Sequence, residues 1–173
     1  MAKTLDILIG DDVFTSPGAI KSALFLTLIE MWGCSGKEQK QSITLPQENG
    51  LYICKYTPFG EDSQIRVKAI SNVEDMITEF KTPYDWIITD LNYGEGNENG
   101  GIEIVKALPQ NLKDNSVLAV CTSENNPRLL KALRELNIDY VVPPKLMQYD
   151  GTKFELLGKV MAEHYCLNAL KEN

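Results

Sequence analysis

The chain has 173 residues, a hydrophobic fraction of 43%, a charged fraction of 24% and a formal charge of -7. That length suits a single domain, residues 1–173, that can bury a core without disulfide or metal staples, and the composition is too ordinary for a disordered chain. The excess of acids, without any clustered Lys/Arg stripe, argues against a nucleic-acid surface.

No apolar stretch reaches the roughly 18 residues of a membrane span, and Met1-Ala2-Lys3-Thr4-Leu5 runs straight into a strand pattern, so a cytoplasmic protein is expected. Cys34, Cys54, Cys121 and Cys166 are scattered with no C-x-x-C pair, which favours reduced, mostly buried thiols over zinc, redox or disulfide chemistry.

Leu5 to Gly10 reads as a buried strand. Ser16-Pro17 then supplies an N-cap and a first-turn proline, so the pattern predicts a helix from Pro17 to about Trp32, with Ile20, Ala23, Leu24, Leu28 and Met31 on one face and Gly33 ending it. Between about residues 34 and 62 the composition turns polar. Within that stretch Ser42 to Leu45 and Leu51 to Tyr56, separated by the long loop Pro46-Gln47-Glu48-Asn49-Gly50, read as a short β-hairpin.

Ile65 to Ile70 alternates as a strand should. Ser71, with Glu74 three residues on, predicts a capping box for a helix carrying Val73, Met76, Ile77 and Phe80. Trp86 to Thr89 is the next strand, Gly100-Gly101 opens a helix through Ile102, Ile104, Val105 and Leu108, and Val117 to Cys121 is another strand. Pro127 begins a helix with Leu129, Leu130, Leu133 and Leu136 inside, Tyr140 to Val142 is the last strand, and Phe154 to about Leu170 the last helix. Strands separated by helices call for crossover connections, hence a doubly wound five-stranded parallel sheet sandwiched by helices, with the hairpin or loop inserted.

In such a sheet ligands bind beyond the carboxyl ends of the strands. Asp11 and Asp12 follow one strand directly and Asp90 follows another, so neighbouring strands would bring three carboxylates into one crevice. Like charges that close demand a cation or a proton, and hard oxygen donors without His or Cys favour Mg2+. The bland alternatives are an Asp-Asp pair that merely caps a helix and a Thr122 that is a plain strand-end hydroxyl. The stretch Gly94-x-Gly96-x-x-Asn99-Gly100 lacks the third glycine of a dinucleotide fingerprint and is acidic where pyrophosphate would sit. Gly33-Cys34-Ser35-Gly36-Lys37 lacks P-loop spacing, and His164, the only histidine, reads as a partly exposed helical residue.

Four segments in order, Ile7 to Asp12, Tyr84 to Leu91, Val117 to Ser123 and Asp139 to Pro144, resemble the receiver domain of two-component response regulators. The resemblance covers Leu5 to Val142 outside the insertion. It implies a flavodoxin-like fold, with Asp90 as phosphoryl acceptor and Asp12 as a Mg2+ ligand. Asp11 would act mainly through the water shell, and the main-chain carbonyl of Asn92 would be the remaining protein ligand. Thr122 matches the hydroxyl that turns toward the acyl phosphate, and Tyr140 the aromatic whose rotamer accompanies that motion.

The implied partners are a histidine kinase or histidine phosphotransfer protein and a downstream protein target. A homodimer is compatible with the pattern, and no enzymatic turnover beyond phosphorylation and dephosphorylation at Asp90 is implied. The chain departs from the receiver pattern at Pro143, where receivers carry a lysine; Lys145, two residues on, is the candidate replacement. The loop Tyr93 to Gly100 is about two residues longer than the family's usual spacing and adds two acids beside the site, and the insertion at about 34–62 is a further difference.

Three functions stay open on these residues. They are a stand-alone phosphoacceptor, a degenerate receiver that signals by binding alone, and a magnesium-dependent phosphohydrolase with an Asp nucleophile. The last would need Asp-x-Asp after the first strand, which Asp11-Asp12-Val13 does not supply.

Overall fold

The structure is a computed structural model that describes residues 4–15, 43–47, 51–55, 64–122 and 127–142. Its strands are β1 (Thr4–Gly10), β2 (Ile43–Gln47), β3 (Leu51–Lys55), β4 (Gln64–Ile70), β5 (Trp86–Asp90), β6 (Val117–Cys121) and β7 (Tyr140–Val142). The helices are α1 (Val73–Thr78), which runs on into a 3-10 turn over Glu79–Lys81, α2 (Gly100–Ala107), α3 (Gln110–Asn115) and α4 (Pro127–Arg134).

All the strands belong to one sheet of order β2-β3-β4-β1-β5-β6-β7. From β4 to β7 the five strands are parallel, with Leu8 opposite both Lys68 and Ile87, and Ile88 opposite Ala119. The doubly wound fold is therefore present, and the hairpin extends its sheet. β3 pairs antiparallel with β2 on one side and with β4 on the other, Leu51 facing Lys68 and Ile53 facing Arg66. The hairpin strand β2 runs to Gln47 rather than stopping at Leu45, so the turn is shorter than the sequence suggests. Pro46 lies within this edge strand, where the register with β3 shifts between Thr44 and Gln47, the kind of position that tolerates a missing N–H.

Period-two alternation sends the strand residues to two faces, both buried at the centre. Leu8, Ile87, Leu118 and Val120 face a cluster made by Val73, Met76 and Phe80 around α1, Ile104 and Val105 of α2, Leu112 of α3 and Leu133 of α4. On the opposite face Ile7, Ile9, Trp86, Ile88 and Ala119 are equally buried. There the Trp86 ring stacks on Tyr140 across β6, with centroids 5.9 Å apart and planes 8° from parallel. At ~1.5–3 kcal/mol for each large apolar side chain, these two layers dominate the stabilisation.

Several local expectations shift. Asn72, not Ser71, caps α1: its backbone is extended and its side chain accepts from Asp75 N at 2.9 Å, one residue later than the Ser71/Glu74 box. α2 ends at Ala107 because Leu108 precedes a proline and adopts ψ 124, after which the unanticipated α3 begins behind Pro109. α4 ends at Arg134, two residues before Leu136, as the chain unwinds toward Asn137 in the left-handed region at φ 55. Leu136 still packs on the core from that turn. The helices expected at Pro17–Trp32 and Phe154–Leu170, the end at Gly33, and Lys145 lie outside the described residues.

A polar network closes the other end of the sheet. Arg66 makes a two-pronged ion pair with Asp6, which holds the guanidinium pKa above its ordinary value. Lys68 pairs with Glu79 at 3.4 Å, and the Tyr84 hydroxyl donates to the same carboxylate at 2.9 Å. Among the described residues no helix is long and apolar enough to cross a membrane.

Candidate metal centre

The sheet extends beyond the end of β1. Asp11 N donates to Ile70 O of β4 at 3.0 Å, continuing the ladder past Gly10. The chain then turns sharply, with Phe14 N bonded to Asp11 O at 3.0 Å and Val13 N to Asp11 Oδ1 at 3.1 Å. The turn folds the Asp11 carboxylate inward, where it is 1% exposed, and leaves Asp12 half-buried at the rim.

Asp90 is the last residue of β5, opposite Cys121, and Leu91 N reaches Cys121 O at 2.8 Å. Because β1 and β5 are neighbours, the three acids meet. Asp11, Asp12 and Asp90 each offer an oxygen, all within 4.8 Å of one another. Thr122, buried in the first position after β6, stands on the same end of the sheet.

The donor set is all carboxylate, and it combines one buried group with two partly exposed ones. Such a set fits a hard divalent cation that keeps part of its water shell, as magnesium does, and it has none of the imidazole or thiolate that zinc prefers.

The loop after β5 is tightly organised. The Asn92 side-chain oxygen accepts from Gly94 N at 2.9 Å, and Tyr93 N and Asn97 O close the turn at 3.0 Å. Gly94 has φ 87, and a Cβ there would come within 3.3 Å of Asp12 Oδ2, so a side chain would both strain the backbone and crowd the acid. The two extra acids of this loop do not join the cluster. Glu95 and Glu98 are exposed, and Glu98 is occupied locally, its carboxyl held below the usual range by its own N–H and that of Gly96.

Tyr93 is the residue that sequence reasoning missed. Its side chain folds back into the core and is 7% exposed, with its hydroxyl 2.8 Å from Thr89 Oγ1. A Cβ on Gly10 would overlap the Tyr93 hydroxyl and the Met76 side chain, so the end of β1 can carry only a glycine over this phenol. Burial pushes the Tyr93 pKa well above its ordinary value, and the Asp11, Asp90 and Asp12 charges add to it. The phenol is thus a neutral donor at any physiological pH. Its only signal in the sequence is an aromatic inside an otherwise polar loop, three residues after Asp90.

Tyr140 opens β7 opposite Ala119 and is half-buried on Trp86, on the sheet face that also bears Ile88. The strand order, the acids at the ends of its two central parallel strands and the hydroxyl after the next strand set the architecture. The chain has a flavodoxin-like α/β fold.

No family model matches the chain, and no curated protein matches it. Among solved structures it is similar to a fusion carrying residues 181–211 of the yeast Spc42 trimeric coiled coil, with TM-score 0.53, 16% identity, and 98% of this chain and 84% of that one covered. It is also similar to RcsB from Salmonella enterica serovar Typhimurium, solved on promoter rprA with the phosphomimetic BeF3-, with TM-score 0.44 and 20% identity over 91% of this chain and 66% of that one. At 16% identity the first is a likeness of fold alone, and the second is looser.

Proposed function

We propose that this chain is a phosphoacceptor receiver that takes a phosphoryl group on Asp90 from a phosphohistidine partner and signals by docking to another protein. The observation that carries this reading is the convergence of Asp11, Asp12 and Asp90 within 4.8 Å at the carboxyl ends of β1 and β5. An Asp90 carboxylate oxygen would form the new O–P bond while the N–P bond to the donor imidazole breaks, the imidazole leaving with the electron pair and taking a proton from water.

Asp12 and Asp90, with Asp11 behind them, would hold Mg2+, and the main-chain carbonyl of Asn92 would be the remaining protein ligand. Once bound, the cation would neutralise the incoming phosphoryl oxygens and so lower the barrier to attack by an anion. Thr122 would donate its hydroxyl to a phosphoryl oxygen. Tyr140 would change rotamer as the face around β6 and β7 rearranges for a partner, either a downstream target or a second copy. Lys145 would supply the cation that Pro143 does not.

The test is incubation with a small phosphodonor and magnesium followed by intact mass measurement. A gain of one phosphoryl group that Asp90→Asn abolishes is the expected result; no gain, or a gain unaffected by Asp90→Asn, overturns the reading.

Pro143 favours a second reading, because a proline offers neither charge nor hydrogen bond where a receiver has lysine. On that reading the chain is a phosphorylation-independent interaction module, and partner binding would survive Asp90→Ala unchanged.

A further inference from the structure

We propose that Tyr93 and Thr89 are positioning residues for Asp90: their two hydroxyls form a directed chain that fixes the main chain at the end of β5, and with it the carboxylate that completes the cation site. This rests on the reading of Asp11, Asp12 and Asp90 as a cation site.

Proton accounting gives the chain its direction. Thr89 Oγ1 lies 2.9 Å from the main-chain oxygen of Asp90, which can only accept, so the single Thr89 hydroxyl proton goes there. The Tyr93 hydroxyl, 2.8 Å from the same Oγ1, must then be the donor to Thr89. Both side chains are buried, Thr89 fully, so neither hydroxyl can exchange its partner for bulk water. The bonds run Tyr93 Oη–H to Thr89 Oγ1–H to Asp90 O, each donor polarising the next.

The surroundings leave this chain little freedom. Gly101 of α2 packs directly on the Asp90 carbonyl and Leu91 Cα, where no side chain would fit, and Gly101 N bonds Leu91 O at 3.0 Å. The Tyr93 ring is wedged beneath Gly10 and against Gly100, so it touches the end of β1 and the start of α2 together. Tyr93 therefore buttresses, from one face, the paired ends of the strand that delivers Asp11 and Asp12 and the strand that delivers Asp90. Magnesium demands near-octahedral oxygens at about 2.1 Å, so a shift of a few tenths of an ångström in one strand end degrades the site without unfolding the protein.

The test is a mutant cycle read by magnesium affinity at a temperature far below unfolding. Tyr93→Phe and Thr89→Val are each expected to weaken Mg2+ binding by about three- to tenfold, the range of a lost neutral hydrogen bond. The double variant should be no worse than the weaker single, because the hydroxyls act in series. Thr89→Ser, which keeps the hydroxyl and loses the methyl, should restore wild-type affinity, whereas Thr89→Val, closer in shape, should not. A purely structural role would predict the reverse order of Ser and Val. Unchanged affinity in Tyr93→Phe and Thr89→Val, or additive losses in the double variant, overturns the proposal while leaving the cation site standing.

A wild-type protein that takes up no divalent overturns the cation reading instead. The hydroxyl chain is then judged by the 13C chemical shift of the Asp90 main-chain carbonyl, which accepts the Thr89 hydroxyl. A shift moved by Thr89→Val and restored by Thr89→Ser supports it, and a shift indifferent to both refutes it.

Discussion

Replacing Asp90 by Asn should make the protein more stable when divalent cations are chelated. Two unit charges at the 4.8 Å outer limit of the cluster repel by about 3.5 kcal/mol at an effective dielectric of about 20. Asp12 and Asp90 are partly exposed, and screening by water and salt brings the net relief to about 1–2 kcal/mol. For a chain of this size that corresponds to an unfolding temperature about 2–8 °C higher.

The assay is thermal unfolding of wild type and Asp90→Asn in chelator, at low and at high ionic strength, and again with magnesium. In chelator the variant should unfold later, and added salt should narrow the gap. Magnesium at about 100 times its dissociation constant should stabilise wild type by about 2.7 kcal/mol and the variant by much less, reversing the order. If Asp90→Asn instead unfolds earlier in chelator and magnesium moves neither protein, the three carboxylates are not a repulsive cation cage and the argument from charge fails.

The remaining predictions use other parts of the fold. The Trp86 and Tyr140 rings are stacked, so in a Trp32→Phe background a phosphoryl mimic with magnesium should change Trp86 emission as Tyr140 rotates, and Tyr140→Leu should abolish that response; an identical response in both would remove Tyr140 from the switch. Tyr84 has its pKa raised first by burial and then by its bond to the Glu79 carboxylate. A raised folded pKa means stability that is full below the ordinary value of 10 and is lost as pH rises past it, so Tyr84→Phe should flatten the alkaline slope of stability above pH 10 in denaturant titrations. Gly10→Ala should destabilise by about 1–3 kcal/mol through overpacking against Tyr93 and Met76, and adding Tyr93→Phe should recover part of the loss; an additive double variant would show that the hydroxyl is not the obstacle.

The apolar runs of β1, β5 and β6 were legible because a strand buried on both faces has no room for polar residues, and the acids directly after them therefore fell at the ends where parallel strands open a crevice. Tyr93 was not legible. Nothing local distinguishes a tyrosine that folds inward from one that stands in solvent, and only the missing Cβ of Gly10, far away in sequence, opens the space it occupies. α3 was missed for a similar reason: Gln-Asn-Leu-Lys-Asp-Asn carries one buried anchor, Leu112, too few for a period. The cap of α1 was displaced by a single residue because Asn72 and Ser71 are equally good caps and both have an acid three positions on. The hairpin could be read from its own turn, whereas its partner strand could not, since pairing with β4 depends on an edge created by the rest of the sheet.

That pairing explains how the insertion is accommodated without disturbing the site. The hairpin adds to the outer side of β4, and the acids sit on β1 and β5, so the five parallel strands keep their order and β3 takes up the hydrogen bonds that β4 would otherwise present to solvent. Among the described residues the addition moves the edge of the sheet to β2, and an edge strand must resist pairing with other chains. Pro46 lacks an N–H and lies where the register with β3 shifts, two features that spoil an edge as a template. Pro46→Val would restore a donor and a strong strand former at that edge, so concentration-dependent self-association should rise in sedimentation experiments while magnesium affinity stays unchanged. If Pro46→Val shows no such rise at high protein concentration, the edge is guarded by something other than Pro46, and the proline belongs with the register shift between Thr44 and Gln47 instead.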